Sequence, residues 1–320
     1  MHGNPHSPVR HGRVPGEPVH AGRRPPTAAR ALPGLGVVVA LLLAALVAMA
    51  APQPAGAQAA PRITGRYVVA ESSAINSSSP KTVTARCDAG DQVLGGGGGA
   101  FAVAPTAGEM AAIGRKLEVT RLSPASPGRF TITAVETAGG TTGNWYVSVR
   151  AVCAANPVAG YQVVTTRSAN SGTSPPEQGV LAECPGTKVA LGSGATVTFE
   201  RGRPVGGVGV SMALATSGQT YARAAEQPGG YAFTWSLTAF AVCATRPQGY
   251  EVIAEIGSGT GHSVSCSNGR RILNGGGFAD TTLSSAIPFA TVDDAAAAAP
   301  RNPAGGNVAA YAICADAVNR

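Results

Sequence analysis

One sequence unit occurs three times between residues 67 and 315, and this repetition restricts the possible folds more than any other feature. The copies open with a tyrosine and a short apolar run, at Tyr67, Tyr161 and Tyr250. Each copy continues with a linker rich in small polar residues and Gly, a first cysteine, a Gly-containing turn, an apolar pair and glycines. Recurrence at a spacing of roughly ninety residues indicates one supersecondary unit copied along the chain.

The segment that closes each copy predicts a β-strand. Residues 145–154 align without gaps to residues 235–244, and both segments end in Cys-Ala. In the first segment Val147, Val149 and Ala151 occupy every second position, which is the period of a strand with one buried face. Further strands are predicted at residues 82–86, 116–121, 130–135, 197–200 and 231–234.

Composition favours an all-β protein. Few charges, few aromatic residues and many Gly, Ala, Ser, Thr and Val residues are typical of short strands joined by turns. The alanine run 295–299 is followed by two prolines, and we interpret it as a flexible insert. We divide the chain into a leader at 1–57, a linker at 58–66 and repeats at 67–156, 157–245 and 246–320.

The leader has the pattern of a secretory signal peptide. A basic n-region is followed by an apolar stretch at about 35–51 and by Ala-Gly-Ala at 55–57, a small-residue cleavage site. The alternative is a retained membrane anchor at 35–51, although this run is shorter than the about 20 apolar residues of a span. Removal of the leader lowers the formal net charge from +7 to about +3. The leader therefore predicts a secreted protein. The remaining basic residues are scattered along the sequence, so we expect no binding to nucleic acid.

The cysteines predict one disulfide within each repeat. All six follow the leader, and an even number in an exported chain favours disulfides. Six cysteines allow fifteen pairings, and the repeat selects the one that joins the first and last cysteine of each copy. The predicted bridges are Cys87–Cys153, Cys184–Cys243 and Cys266–Cys314. We expect neither a metal nor a cofactor, because the sequence has no CxxC spacing and no histidine cluster beyond the leader.

Five consecutive glycines, at 95–99, follow the apolar pair of the first copy. A phosphate-binding loop would require a following helix and either a GK[ST] ending or a spaced GxGxxG, and the sequence has neither. We therefore expect another segment or a ring to pass close to this backbone. Trp145 and Trp235 are candidates for this cover. Each could also stack on a sugar ring as a ligand-binding residue, although its position in the apolar frame of a strand favours the core.

Few residues have the pattern of a catalytic site, and we assign none. His262 is the only histidine beyond the leader, and no GxSxG elbow accompanies the serines near it. The acid pairs Asp88 with Asp91, and 293 with 294, could serve a glycosidase only if they flanked a cleft. Both pairs have the composition of turns.

The order of Cys turn, apolar strand, glycines and closing strand resembles the repeats of the vitelline membrane outer layer protein family and related secreted β-prism proteins. The third copy is nearest, with Gly-Gly-Asn-Val-Ala-Ala-Tyr-Ala-Ile-Cys at 305–314. The Ala, Gly, Pro and Arg bias is also similar to that of uncharacterised secreted repeat proteins of high-GC bacteria. The resemblance implies three Greek-key sheets around a pseudo-threefold axis and a role in the extracellular matrix or in association with sugars.

Two all-β architectures stay open. The chain could form one pseudo-threefold domain of the β-prism type or three small β-sandwiches in tandem, because its repeats are longer than those of the family. Gly306 also replaces the tryptophan of the other copies.

We expect a secreted, non-enzymatic protein that binds at cell-envelope or extracellular surfaces, with glycans or surface proteins as ligands. A self-assembling structural module of the envelope is the alternative, and a secreted hydrolase is the third hypothesis. A membrane is a partner only if the leader is retained.

Overall fold

The computed structural model describes residues 59–320, except 138, 156, 171–175, 204, 259–260, 280–282, 290–294, 301–306 and the side chains of 284–289 and 300. The predicted signal peptide therefore lies outside the described residues. Residues Ala59–Arg320 form one compact unit.

This unit is built almost entirely of β-strands. The elements, in chain order, are β1 (Ile63–Ser72), β2 (Lys81–Arg86), β3 (Gln92–Val103), α1 (Ala107–Gly114), β4 (Leu117–Ser126), β5 (Arg129–Glu136), β6 (Asn144–Ala154), β7 (Gln162–Arg167), β8 (Glu177–Glu183), β9 (Val189–Phe199), β10 (Val208–Ala215), β11 (Gln219–Glu226), β12 (Trp235–Ala244), β13 (Glu251–Ser258), β14 (His262–Ser265), β15 (Arg271–Ala279), β16 (Leu283–Phe289), β17 (Ala295–Pro300), β18 (Asn307–Ala315) and β19 (Ala317–Asn319). The all-β prediction is confirmed.

The strands form three sheets, which we call sheets A, B and C. Sheet A has the order β14-β17-β16-β3-β6-β1-β19, sheet B the order β2-β5-β4-β9-β12-β7, and sheet C the order β13-β18-β15-β10-β11-β8. The last strand, β19, pairs in parallel with β1.

Each sheet combines strands from two copies of the sequence unit. Sheet B joins β7, β9 and β12 of the second copy to β2, β4 and β5 of the first, and sheet C joins the third copy to the second in the same way. Sheet A joins β1, β3 and β6 of the first copy to β14, β16 and β17 of the third, which closes the cycle. Tandem sandwiches would each pair their own strands, so this topology is that of the single-domain alternative.

The same register shift occurs in the glycine-rich strand of every sheet. In β3, β9 and β15 the pairing with the closing strand skips one leucine, which is Leu94, Leu191 or Leu273. A bulge of this kind bends a strand and redirects a side chain. All three leucines are fully buried and belong to one apolar cluster. The bulges thus place one leucine from each sheet in a shared core.

The residues that follow these leucines are Gly95, Gly192 and Asn274, and they meet where the three strands approach one another. A Cβ on Gly95 would lie 2.5 Å from Oδ1 of Asn274 and 2.7 Å from the carbonyl oxygen of Leu273. A Cβ on Gly192 would lie 2.8 Å from Cα of Gly95. The space between the strands therefore accommodates the side chain of Asn274 only because the two facing positions are glycine.

The buried amide of Asn274 links strands of all three sheets. Its Nδ2 donates to Oγ of Ser193 at 3.0 Å, and its Oδ1 accepts from the N–H of Gly96 at 2.9 Å. Ser193 in turn donates to the carbonyl of Ala213 at 3.2 Å. Both ends of the amide are satisfied, as burial of a polar group requires.

Side chains that open the copies fasten each copy to the preceding one. Tyr161 and Tyr250 donate their hydroxyls at 2.9 and 2.8 Å to the backbone carbonyls that lie just before Leu94 and Leu191. Burial raises the pKa of both tyrosines well above the ordinary value, so they remain hydrogen-bond donors. For the first copy, Arg66 of the preceding linker takes this role, and its buried Nε donates at 2.7 Å to the carbonyl just before Leu273.

The glycine run is covered by an aromatic ring, but this ring is not a tryptophan. A Cβ on Gly96 would lie 2.6 Å from Cγ of Phe130. Trp145 and Trp235 lie opposite the far ends of β3 and β9. The prediction that the tryptophans cover the glycines is therefore wrong.

Most predicted strands overlap observed ones, in β2, β4, β5, β6, β9 and β12, but two segments differ. Residues 231–234 form a loop before β12. The run 295–299, interpreted as a flexible insert, lies in β17 and pairs with β14 and β16. Its side chains are small enough to pack in the sheet interior, as buried Ala298 does. The short helix α1 was not predicted, although a capping box of Thr106 and Glu109 begins it.

Gly95→Ala should lower the free energy of unfolding by about 1–3 kcal/mol, because the new methyl group would overlap the Leu273 backbone. Urea denaturation measures this change. Gly108→Ala is the matched control, since a Cβ there meets nothing within 4 Å and the residue lies in α1. The control should be neutral or slightly stabilising. Equal stabilities of the two variants would contradict the close approach of the strands.

Candidate functional site

Three disulfides tie the turns before the glycine-rich strands to the ends of the closing strands. They join Cys87 to Cys153, Cys184 to Cys243 and Cys266 to Cys314, which confirms the predicted pairing. No cysteine of the described residues is free. Because disulfides persist in oxidising compartments, the fold is suited to an extracellular or otherwise oxidising environment.

The two tryptophans proposed as ligand-stacking residues lie in the core. Trp145 is 0% exposed and Trp235 is 1% exposed. Nε1 of Trp145 donates to Oε1 of Glu136 at 2.9 Å. Nε1 of Trp235 donates to Oε1 of Glu226 at 3.0 Å. Neither ring presents a face to solvent, so the stacking role is wrong and the core interpretation is correct.

A sequence signal for this tryptophan–glutamate contact was present and was missed. Residues 136–145 and 226–235 both read Glu-x-x-Gly-Gly-x-x-x-x-Trp. The glycines have positive φ, 88° at Gly139 and 106° at Gly229, a conformation that glycine adopts readily. The loops can therefore turn back and bring each glutamate to the indole of the next strand.

The acid pair Asp88 and Asp91 borders a shallow depression of about 510 Å³. Nη1 of Arg320 lies 2.6 Å from Oδ2 of Asp88 and 3.8 Å from Oδ2 of Asp91. Tyr67 donates its hydroxyl to Asp91 at 2.7 Å, and burial together with this carboxylate raises the pKa of Tyr67. Arg320 and Tyr67 therefore engage both carboxylates within the protein.

The histidine and the second acid pair add no catalytic arrangement. Nδ1 of His262 lies 3.7 Å from Oε1 of Glu255. Its Nε2 is buried and has no hydrogen-bond partner among the described residues, so it activates no serine there. The pair 293–294 lies outside the described residues.

The most distinctive surface is the outer face of sheet B. On each strand of this sheet alternate residues point to the core, as Ile132, Leu122 and Ala239 do, and the residues between them lie on the opposite face. Cross-strand pairing defines one row across all six strands, which we call the central row. From edge to edge it consists of Thr82, Thr133, Arg121, Thr196, Thr238 and Arg167.

Adjacent rows extend this chemistry. We define the hydroxyl face as the central row together with Thr84, Thr198 and Thr165, while Thr131, Ser123 and Ser236 lie on the same side of the sheet but are buried. The hydroxyls of Thr82 and Thr133 lie 3.0 Å apart. Nε of Arg121 donates to Oγ of Ser123 at 3.1 Å, and Nε of Arg167 donates to Oγ of Ser236 at 2.9 Å. These contacts orient the polar groups across the sheet.

The sequence contains part of the signal for this face. The tripeptides at 82–84, 131–133 and 196–198 each read Thr-x-Thr, a pattern that puts two hydroxyls on one side of a strand. Which strands become neighbours depends on the exchange of strands between copies, which no pattern within one copy indicates. The hydroxyl face was therefore missed.

Sheet C shows that the fold does not require a polar outer face. The row that corresponds to the central row consists of Ile256, Ala309, Phe278, Met212, Arg223 and Gly179. Ile256 is 72% exposed, and Leu181 in the neighbouring row is 42% exposed. The same topology thus carries a hydroxyl surface on one sheet and a largely apolar surface on another.

No family model matches the chain, and no curated protein has significant similarity to it. Within the part of the chain that the structure describes, no helix is long and apolar enough to cross a membrane. The described residues also contain no group of three His, Cys, Asp or Glu side chains placed to hold a metal ion.

Trp145→Phe should lower the free energy of unfolding by about 1–3 kcal/mol, because Glu136 loses its indole partner and the core loses volume. Binding of the variant protein to a glycan ligand should stay unchanged at temperatures where the variant is folded. Thermal denaturation and ligand retention, measured on one preparation, test this. A stable variant that loses retention would restore a ligand-binding role for the tryptophan.

Proposed function

We propose that this protein is a secreted, non-enzymatic β-repeat protein that binds polysaccharides at cell-envelope or extracellular surfaces through the hydroxyl face. The observation that carries the proposal is the central row of four threonines and two arginines across sheet B. The disulfides, the leader pattern and the resemblance to secreted β-prism repeats support an extracellular location.

The chemistry of the face suits a polyhydroxylated partner. A threonine hydroxyl has one donor hydrogen and two acceptor lone pairs, so the contacts within the sheet leave hydrogen-bonding capacity for a ligand. At about 4.8 Å between strands, the central row is about 24 Å long. A surface of this length fits several units of a chain better than one small molecule.

The double variant Thr82→Val/Thr133→Val should bind insoluble polysaccharide about tenfold more weakly, because it removes two adjacent hydroxyls. Valine has a high strand propensity, so the strands should be retained. Because the two hydroxyls contact each other, removing both leaves neither one without its partner. Co-sedimentation with chitin, cellulose and purified bacterial cell walls measures the retention.

Ser148→Ala, on the face of sheet A, is the control and should bind like the wild type. Failure of the wild-type protein to sediment with any of these polysaccharides would contradict the proposed function. An equal loss in the control would show that the hydroxyl face is not the binding surface.

Self-assembly is the second candidate function, and the apolar row of sheet C favours it. Exposed apolar patches on soluble proteins mark interaction surfaces, and identical patches can pair about a twofold axis. Ile256, at 72% exposure, lies in the edge strand β13 of this sheet.

Ile256→Asp should convert an assembled protein to a monomer, because each interface would bury an unpaired charge. Light scattering after size-exclusion chromatography gives the mass of both forms. A wild-type protein that is monomeric at all accessible concentrations would remove self-assembly as a function.

A further inference from the structure

The face of sheet B that carries the hydroxyls also carries four arginines. Arg121 and Arg167 belong to the central row. Arg86 and Arg129 lie on the same side of the sheet, directly opposite each other at the ends of β2 and β5. In sequence these residues are scattered, and this scatter predicted only that the protein does not bind nucleic acid. The strand order of sheet B brings them together.

Carboxylates do not neutralise this group of arginines within the described residues. None of the four arginines forms an ion pair there. Glu118 lies on the same side, but it is fully buried and accepts from the N–H of Gly207 at 2.7 Å and from Nε2 of Gln227 at 2.6 Å. Asp88 and Asp91, at the edge of the face, contact Arg320 instead.

The pairing of Arg86 with Arg129 is unfavourable for the fold itself. Both side chains are exposed, and like charges directly opposite each other in a sheet are destabilising. An anionic group bound between them would relieve this repulsion. Guanidinium groups also match the planar geometry of a carboxylate or phosphate with paired hydrogen bonds.

We propose that the ligand of the hydroxyl face is an acidic polysaccharide, a glycan chain that carries carboxylate or phosphate groups. This inference rests on the proposed function and specifies its ligand class. Arg121 and Arg167 are three strands apart, about 14 Å, and Thr196 and Thr238 lie between them. The arginines bind the anionic groups, and the threonines between them bind sugar hydroxyls. A glycan chain in which anionic groups alternate with hydroxyls would bind both the arginines and the threonines.

The test compares acidic polymers with their neutral counterparts. Polygalacturonate is measured against its methyl ester, and phosphomannan against unphosphorylated mannan, by affinity electrophoresis of the secreted protein. We expect both acidic polymers, or the one whose anion fits, to retard the protein at concentrations at least tenfold lower than the neutral form. The stronger of the two acidic polymers identifies the anion. Retardation by the acidic polymer should weaken as NaCl screens the arginines.

Two sets of variants locate the site. Arg121→Gln/Arg167→Gln should weaken retardation by the acidic polymer about tenfold or more and should reduce the ratio between retardation by the acidic form and by the neutral form. Arg86→Gln should also weaken it, while the variant unfolds at the same or a higher urea concentration than the wild type because the like-charge pair is gone. Arg62→Gln, an exposed arginine before β1, is the control and should behave as the wild type.

The outcomes separate this inference from the proposed function. Equal retardation by acidic and neutral polymers would overturn the acidic ligand and leave polysaccharide binding intact. If none of the acidic or neutral polymers retarded the wild-type protein, both the acidic ligand and the proposed polysaccharide binding would be overturned. Retardation by a DNA duplex as strong as that by the best acidic glycan would show that charge alone is recognised, and would overturn a glycan site.

Discussion

The close contact of β3, β9 and β15 around the amide of Asn274 is the constraint on which the rest of the structure depends. Strands can approach this closely only where side chains are absent, and the facing positions are Gly95 and Gly192. One asparagine then satisfies groups on neighbouring strands that burial would otherwise leave without partners. The three bulged leucines pack into the shared apolar cluster, so each sheet contributes to a core that no single copy could form.

Exchange of strands between copies follows from this small core. Each copy completes a sheet with strands of a neighbouring copy, and the three sheets together bury the shared core. Tyr161, Tyr250 and Arg66 fasten the junctions through backbone carbonyls, and the pairing of β1 with β19 joins the two ends of the described chain. The disulfides hold each copy internally, whereas these contacts hold the copies together.

Beyond the ends of the closing strands, where both faces are buried, the core constrains one side of a strand and leaves the other side free to vary. Because side chains alternate along a strand, inward positions must be small or apolar, while outward positions need only suit a pleated surface. The central row of sheet B consists of threonines and arginines, whereas the corresponding row of sheet C is largely apolar. The function proposed for this chain therefore lies on an outer face, where threonines and arginines are not required by packing.

The amino-acid sequence by itself determined the all-β class, the three disulfides and the closing strands, because cysteine positions and a period of two are local properties. It also contained the Glu-x-x-Gly-Gly-x-x-x-x-Trp and Thr-x-Thr patterns, whose meaning depends on which segments become neighbours. Only the tertiary structure decided that Phe130, and not a tryptophan, covers the glycine run and that run 295–299 is a strand. It alone assembled the hydroxyl face, since the pairing of Arg121 with Thr196 joins strands of different copies, and periodicity within one strand carries no information on its partner.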